Sequence, residues 1–145
     1  MNKKGTIPSN KYNEHAWLVG EPEIGEDVWI GAFTLIDGSG GLKIGKGCNI
    51  SSGVHIYTHS TVRRCLSERK YSDVDRKSVE IGDYVFIGGN ATVLMGSKIG
   101  HHSVVGAGAV ILEGTVIPNY SVVVGNPAKI VKKGKKEIEK IIKGR

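Results

Sequence analysis

The stretch that decides the fold is residues 81–123, IGDYVFIGGNATVLMGSKIGHHSVVGAGAVILEGTVIPNYSVV. A large aliphatic residue recurs there at every sixth position: Ile81, Ile87, Val93, Ile99, Val105, Ile111, Ile117 and Val123. A period of six matches neither the helical period of 3.6 nor plain alternation along a long strand. It indicates an architecture built from stacked repeats.

The same spacing runs back toward the N-terminus, through Leu18, Ile24, Ile30, Ile36, Ile44, Ile50 and Ile56. Four places after most of these aliphatics stands a small or β-branched residue: Val28, Thr34, Cys48, Val54, Val85, Ala91, Ser97, Ser103, Ala109, Thr115 and Ser121. Glycine often follows the aliphatic directly, within a total of 21 glycines. We expect these glycines to supply the backbone angles of sharp corners.

Three short sides and three corners make a closed coil that stacks on the next coil at ~4.8 Å. The aliphatic series therefore predicts an all-β fold, a parallel β-helix of about five coils. One loop (about 57–80) should protrude from it. A short C-terminal helix should follow, with Ile138, Ile141 and Ile142 on one face. The predicted organisation is an N-terminal lead or cap (1–17), the repeat domain (18–128) and a basic segment (129–145).

Two interruptions break the six-residue rhythm. The spacing from Ile36 to Ile44 is eight, and the added residues fall in Asp37-Gly-Ser-Gly-Gly41, which predicts a bulged corner with a structural role. The second interruption is the polar stretch that begins at Tyr57. Insertions in repeat proteins leave from one face and often carry function, so we expect the functional site beside this loop.

Charge and composition exclude several classes of protein. The net charge of +6 comes from residues 129–145, with 8 basic and 2 acidic residues, because the rest of the chain is neutral. Without aromatic-basic interleaving, nucleic acid is not predicted as a partner. There is no long apolar run, so we expect no membrane span and no secretory signal. Two cysteines without ligand spacing predict a cytoplasmic protein with no metal and no disulfide.

Four motifs carry a resemblance to a known family: Ile56-Tyr-Thr-His59, residues 79–88 (VEIGDYVFIG), residues 99–109 (IGHHSVVGAGA) and residues 124–129 (VGNPAK). The sequence resembles the hexapeptide-repeat acyltransferases, in particular the bacterial sugar and polysaccharide O-acetyltransferases of the galactoside and maltose type. The resemblance implies a left-handed β-helix, a homotrimer, acetyl-CoA as co-substrate and active sites between adjacent subunits.

The resemblance places the catalytic residue at His59, just before the loop. An independent argument reaches the same residue, because acetyl transfer needs a general base and imidazole titrates closest to neutral pH. The resemblance also places coenzyme A contacts on the corners at Gly89 and Ala107. The nucleotide end of the coenzyme would then meet basic residues of the tail, namely Lys129, Lys132 and Lys133.

Contacts with the acceptor are harder to assign. His55 is a candidate close to His59, and the loop acids Glu68, Asp73 and Asp75 are candidates for orienting His59 or holding a sugar hydroxyl. His15, with Tyr12 and Trp17, could cap the first coil or touch the acceptor. The neighbouring histidines at positions 101 and 102 are interpreted as solvated corner residues.

The predicted function is transfer of an acetyl group from acetyl-CoA to a sugar hydroxyl, directly and with a histidine general base. The alternative is N-acetylation of an amino sugar carried on a nucleotide. More distant alternatives are a zinc carbonic anhydrase, for which the five histidines give no clear set of three ligands, and a non-catalytic β-helix.

Overall fold

The structure, a computed structural model, describes residues 10–144. Their fold is a left-handed parallel β-helix, a triangular prism whose three faces are parallel sheets. The predicted fold class is confirmed. Residues 1–9 of the predicted lead, and Arg145, lie outside the described residues.

The first three coils contain strands β1 (Trp17–Val19), β2 (Glu23–Ile24), β3 (Trp29–Ile30), β4 (Leu35–Asp37), β5 (Leu42–Ile44), β6 (Asn49–Ile50), β7 (His55–Ile56), β8 (His59–Ser60), helix α1 (Val62–Leu66), β9 (Asp75–Arg76), β10 (Val79–Ile81) and β11 (Phe86–Ile87). The remainder contains β12 (Thr92–Val93), β13 (Lys98–Ile99), β14 (Val104–Val105), β15 (Val110–Ile111), β16 (Val116–Ile117), β17 (Val122–Val124), β18 (Lys129–Ile130) and helix α2 (Gly134–Lys143).

Each coil contributes one strand to each face. Face 1 stacks β1, β4, β7, β12 and β15, and face 2 stacks β2, β5, β10, β13 and β16. Face 3 stacks β3, β6, β11, β14 and β17, with β18 antiparallel to β17. The prediction of about five coils is therefore correct.

Register between coils explains the six-residue period. Ile87 pairs with Val105, and Val105 pairs with Val123, so the inward side chains form continuous ladders. The aliphatic series is buried throughout the prism except in the first coil, where Leu18 and Ile24 are partly buried. The predicted core is confirmed, because one large and one small inward residue per side fill the triangular interior.

The glycine that follows the aliphatic serves close packing rather than a special backbone angle. A Cβ added at Gly82 would lie 2.7 Å from the amide nitrogen of His101 in the next coil. Positive φ occurs two residues later, at Tyr84 (53°) and His102 (53°). The predicted reason for these glycines is thus wrong, since successive coils approach too closely there for a side chain.

The third coil is interrupted where the sequence predicts the loop. Strand β7 ends at Ile56 and β10 begins at Val79. Between them, β8 pairs with β9 as an antiparallel ribbon, and α1 lies at the tip. The amide of Lys77 donates to the carbonyl of Thr58 at 3.1 Å, which closes the neck of the loop.

The C-terminal helix packs on face 3. Gly134 and Ile138 of α2 are buried, and Gly134 lies against Val122 of β17. Of the apolar face expected from the sequence, Ile141 is exposed and Ile142 is only partly covered. Neither described helix has the length and apolar character needed to cross a membrane.

Candidate active site

The two interruptions of the repeat meet at one corner of the prism. Register pairs Leu35 with His55 and Ile36 with Ile56, so the bulge after β4 lies directly below the start of the loop after β7. Both leave from the edge of face 1 that adjoins face 2. Residues far apart in sequence are thereby brought into contact.

The contact is a hydrogen-bond network centred on the carboxylate of Asp37. Its Oδ2 atom accepts from the amide of Thr58 at 2.9 Å and lies 2.5 Å from Nδ1 of His59. Its Oδ1 atom accepts from the amide of Ser39 at 2.9 Å. Asp37 is 1% exposed and the His59 side chain 37%, so the carboxylate is buried while the ring reaches solvent.

Thr58 fixes the bulge to the loop. Its hydroxyl donates to the carbonyl of Asp37 at 2.9 Å and accepts from the amide of Gly40 at 2.8 Å. A Cβ at Gly40 would overlap the carbonyl oxygen of Thr58. The bulge therefore requires glycine at this position for a close approach of two backbones.

The charge of Asp37 determines which nitrogen of His59 carries a proton. Burial on its own would raise the pKa of Asp37, but the hydrogen bonds from Ser39, Thr58 and His59 outweigh it and hold the pKa well below its ordinary value. A carboxylate has no proton to donate, so the proton between the two groups is on Nδ1. In the neutral ring, Nε2 is then a proton acceptor.

The predicted acceptor residue His55 lies on the same surface, separated from His59 by an aromatic ring. The rings of His55 and Tyr57 meet edge to face at 6.0 Å, and those of Tyr57 and His59 at 6.1 Å. All three side chains are partly buried. The sequence interpretation gave Tyr57 no role, although its position at the start of the predicted loop could have marked it as a residue of the site.

None of the three loop acids contacts His59, and Asp75 instead holds the loop together. Asp75 accepts from Nη2 of Arg63 at 2.6 Å and from the hydroxyl of Tyr71 at 3.1 Å. The bond from Arg63 is also the main reason why the pKa of Asp75 is lowered. Glu68 and Asp73 are exposed. The carboxylate that contacts His59 is that of Asp37, which the sequence interpretation treated as part of a structural bulge. Contact of the loop acids with an acceptor stays a prediction.

A cleft of about 800 Å³ separates the loop from the upper coils. Ser60, Arg63 and Lys77 line it on the loop side, and Met95 and Glu113 line it on the prism side. Lys77 Nζ lies 2.7 Å from Oε1 of Glu113, an ion pair that ties the loop to the fifth coil. The loop thus has a fixed position above the edge of face 1.

The predicted coenzyme contacts lie at the other edge of face 1. Gly89 and Ala107 occupy stacked corners between faces 3 and 1, and the amide of Gly108 donates to the carbonyl of Gly89 at 2.9 Å. Ala107 is exposed and Gly89 partly buried. One side of the prism, roughly 15 Å at ~3.3 Å per residue, separates them from His59.

The predicted basic residues divide into two groups. Lys129, on β18, pairs with Val124 and so lies above the corner that carries Ala107. Lys132 and Lys133 follow β18 and precede α2. All three are exposed, as a phosphate contact requires.

The adjacent histidines at the corner between faces 2 and 3 are packed rather than freely solvated. Nδ1 of His101 lies 2.9 Å from Nδ1 of His102, and the His102 ring stacks on Tyr120 at 5.3 Å. Both histidines are partly buried, which corrects the sequence interpretation. Within residues 10–144, no group of three or more His, Cys, Asp or Glu side chains is arranged to hold a metal ion.

The cysteines differ in their surroundings. Cys48 is buried in the core, as its place in the inward series predicted, and burial raises the pKa of its thiol. Cys65 is exposed on α1.

Two family profiles match the chain. A profile described as bacterial transferase hexapeptide (six repeats) matches residues 78–119, and one described as hexapeptide repeat of succinyl-transferase matches residues 23–58. Together they cover more than half of the chain. The chain belongs to the hexapeptide-repeat acyltransferase family.

Solved structures of other acyltransferases of this fold resemble it. AntD, an N-acyltransferase from Bacillus cereus in complex with dTDP and 3-hydroxybutyryl-CoA, has a TM-score of 0.73 and 23% identity, over 90% of this chain and 74% of AntD. A hexapeptide-repeat acetyltransferase from Vibrio cholerae, complexed with acetyl coenzyme A, has a TM-score of 0.66 and 31% identity, over 77% of this chain and 59% of that protein.

A maltose O-acetyltransferase from Clostridium difficile has a TM-score of 0.64 and 25% identity, over 82% of this chain and 66% of its own. The present acyltransferase chain thus spans less than two thirds of the Vibrio and Clostridium proteins. No curated protein sequence matches it.

The pKa of Asp37 gives a stability prediction. Because the folded state favours the carboxylate, this group stabilises the protein above the ordinary pKa of ~3.9 and loses that contribution as pH falls. Between about pH 5 and about pH 3, the free energy of unfolding of the wild type should therefore fall more steeply than that of Asp37→Asn. Urea unfolding followed by circular dichroism measures both slopes. Asp73→Asn, on the exposed loop, should keep the wild-type slope, and equal slopes for wild type and Asp37→Asn would refute the assignment.

A second prediction concerns the bulge. Gly40→Ala should lower the free energy of unfolding by about 1–3 kcal/mol, because the new Cβ must displace the Thr58 carbonyl. Gly89→Ala is the matched control, since its Cβ would meet only the carbonyl oxygen of Ser52 at 3.4 Å. Thermal unfolding compares the two variants, and equal stability would mean that the bulge does not depend on this contact.

Proposed function

We propose that this acyltransferase moves an acetyl group from acetyl-CoA to a hydroxyl of a saccharide, with His59 as general base. The observation that carries the proposal is the pairing of Asp37 with His59. It holds the ring by Nδ1 and leaves Nε2 as the proton acceptor at a partly exposed position. The acetyl-CoA complex of the Vibrio protein and the maltose O-acetyltransferase of similar fold support the choice of donor and acceptor.

The chemistry follows from the position of the base. Nε2 of His59 takes the proton of the acceptor hydroxyl while the oxygen attacks the thioester carbonyl carbon. A backbone amide of the coil stabilises the negative charge on the carbonyl oxygen. As the carbon–sulfur bond breaks, the leaving thiolate takes the proton from His59, which restores the neutral ring. Asp37 keeps the ring oriented and stabilises the transient imidazolium.

The donor is proposed to bind along the corner that carries Gly89 and Ala107. Small residues there leave room for the pantetheine arm, and Lys129 lies above them for a phosphate. Lys132 and Lys133 are proposed as further phosphate contacts.

The two edges of face 1 are roughly 15 Å apart, so His59 and the corner at Gly89 lie on opposite sides of one chain. We therefore place each active site between two subunits, with His59 from one chain and the corner at Gly89 from the next. A closed ring of three identical subunits provides such head-to-tail interfaces. A cytosolic location remains a prediction of the same proposal.

N-acylation of a nucleotide-linked amino sugar is the second candidate. It is favoured by AntD, an N-acyltransferase crystallised with dTDP, whose fold covers 90% of this chain. Thiol release measured with neutral sugars, glycans and nucleotide-linked amino sugars distinguishes the candidates. Turnover restricted to the amino sugars would replace the proposed acceptor.

Removal of the base gives a direct test. His59→Ala should lower kcat by roughly 10²–10⁴ with little change in the folded state, because the acceptor proton then has no positioned base. The rate of coenzyme A release from acetyl-CoA measures the effect, and circular dichroism checks the fold. His101→Ala, at a different corner, should retain wild-type turnover. A folded His59→Ala protein with normal kcat would contradict the proposal.

Mixed oligomers test the shared site. His59→Ala and Ala107→Trp should each be inactive alone, because one lacks the base and the other blocks the donor groove. After unfolding and refolding together in equal amounts, about one quarter of the sites should combine an intact His59 with an intact corner. Recovery of about that share of activity is the expected result. A mixture as inactive as its components would place each site within one chain.

A further inference from the structure

Two large aromatic side chains at the first coils are left in solvent. Trp17, at the start of face 1, is 70% exposed in the single chain, and Phe33, at the corner between faces 3 and 1 that also carries Gly89 and Ala107, is 71% exposed. The ring of His15 stacks on Phe33 at 5.5 Å with an interplanar angle of 21°. These three residues form a group that we call the aromatic platform.

The platform is held on a fixed backbone. The amide of Phe33 donates to the carbonyl of His15, and the amide of Trp17 donates to that of Thr34, both at 2.9 Å. The three rings are therefore attached to paired segments of the first two coils rather than to a free end. Their exposure is a property of the folded prism.

Phe33 also occupies a place that disfavours a large residue. Its φ of 59° is in the left-handed region, which is costly for a bulky side chain. The equivalent corner positions of the next three coils hold Gly53, Asn90 and Gly108, residues that adopt this angle readily. Apart from the stacked ring of His15, the Phe33 side chain is exposed, so burial offsets little of this cost. Tyr84 and Tyr120 adopt the same backbone region at the corner between faces 2 and 3, so it is the exposure of the Phe33 ring, rather than its φ, that indicates contact with something outside the prism.

The platform is continuous with the candidate active site. On face 1, Trp17 pairs with Leu35 and Leu35 pairs with His55, so Trp17 is two strand spacings, about 10 Å, below His55. Ring contacts then continue from His55 through Tyr57 to His59. A ligand that extends from His59 toward the N-terminal end of the prism would reach the platform.

The charge of this surface selects the chemistry of the ligand. The described strands of face 1 contain no lysine or arginine, whereas Lys43 and Lys98 project from face 2. Along these described strands a phosphate or a nucleotide would find no cation, whereas the loop strand β9 carries Arg76, which pairs with His59. Exposed ring faces next to the polar groups of His15 and His55 suit a neutral ligand with apolar C–H faces and many hydroxyls, as in a sugar chain.

We propose that the aromatic platform is a distal acceptor subsite that binds a neutral glycan three or more sugar units away from the unit acetylated at His59. The proposal rests on the proposed function, which it deepens by naming an oligomeric, uncharged acceptor. Each sugar unit is about as long as the ~4.8 Å spacing between strands, so a chain of about four or more units reaches from His59 to Trp17.

Acceptor length provides the kinetic test. The acceptors are neutral oligosaccharides of one to six units, in a glucose series and a galactose series, with coenzyme A release as the readout. In the wild type, kcat/KM should rise once the acceptor has about four units. Trp17→Ala should remove that rise by increasing KM for the long acceptors about tenfold, without a change in kcat. The kcat/KM for the single-unit acceptor should stay unchanged. Phe86→Ala, which removes a half-exposed ring from face 3, is the control and should behave as wild type.

A binding measurement separates this proposal from the proposed function. Titration of the wild type with the six-unit acceptors, without acetyl-CoA, should change the tryptophan fluorescence, and Trp17→Ala should abolish that change. If the wild type transfers no acetyl group but still binds, the proposed function fails and the glycan subsite stands.

Three results would overturn the subsite. The first is a wild type that binds no six-unit acceptor and whose kcat/KM does not depend on acceptor length. The second is a Trp17→Ala variant in which kcat/KM falls equally for short and long acceptors. The third is dissociation of the oligomer in Trp17→Ala, seen by light scattering, because the platform would then be an interface with a second copy of the chain.

Discussion

The register between successive coils is the constraint on which the rest of the structure depends. Coils can exchange backbone hydrogen bonds only when equivalent residues face each other, as Ile87, Val105 and Val123 do. Additional residues within a strand would turn the aliphatic side chains out of the core. They are accommodated at corners instead, and for this reason the bulge at Asp37 and the loop after Tyr57 leave the prism one above the other.

This stacking creates the hydrogen-bond network around Asp37. The same hydrogen bonds stabilise the fold and orient the proposed catalytic base. A buried carboxylate without partners would be costly, so Asp37 needs the amides of Ser39 and Thr58 and the ring of His59. In return, the ionised carboxylate fixes the ring by one nitrogen and leaves the other available. The order of the bulge therefore determines which nitrogen of the proposed base faces Asp37 and in which direction the ring points.

Face 1 lies between the proposed base, the proposed donor groove and the proposed acceptor subsite. Its edge toward face 2 carries His59, its edge toward face 3 carries Gly89 and Ala107, and its first coils carry the aromatic platform. A rigid prism cannot fold one edge onto the other, and for this reason the proposed function takes the donor groove for a given base from a second chain. The same rigidity keeps the platform at a constant distance from His59.

The period of six was sufficient to predict the coils, the inward residues and the position of the loop, because each coil repeats the same local pattern and buries the same face. The position of His59 at the start of the loop was also predictable, since it stands directly before the interruption, while its role as a base stays a prediction. Asp37 as its partner was not, because a bulge of glycines and serine has the same appearance in sequence whether or not its carboxylate reaches a neighbouring coil. The reason for the glycines after the aliphatics was likewise misjudged, as the close approach of Gly82 to His101 exists only after stacking. Sequence by itself thus determined the repeat and its interruptions, whereas tertiary structure decided which interruptions meet, because contacts between coils depend on register and not on neighbours along the chain.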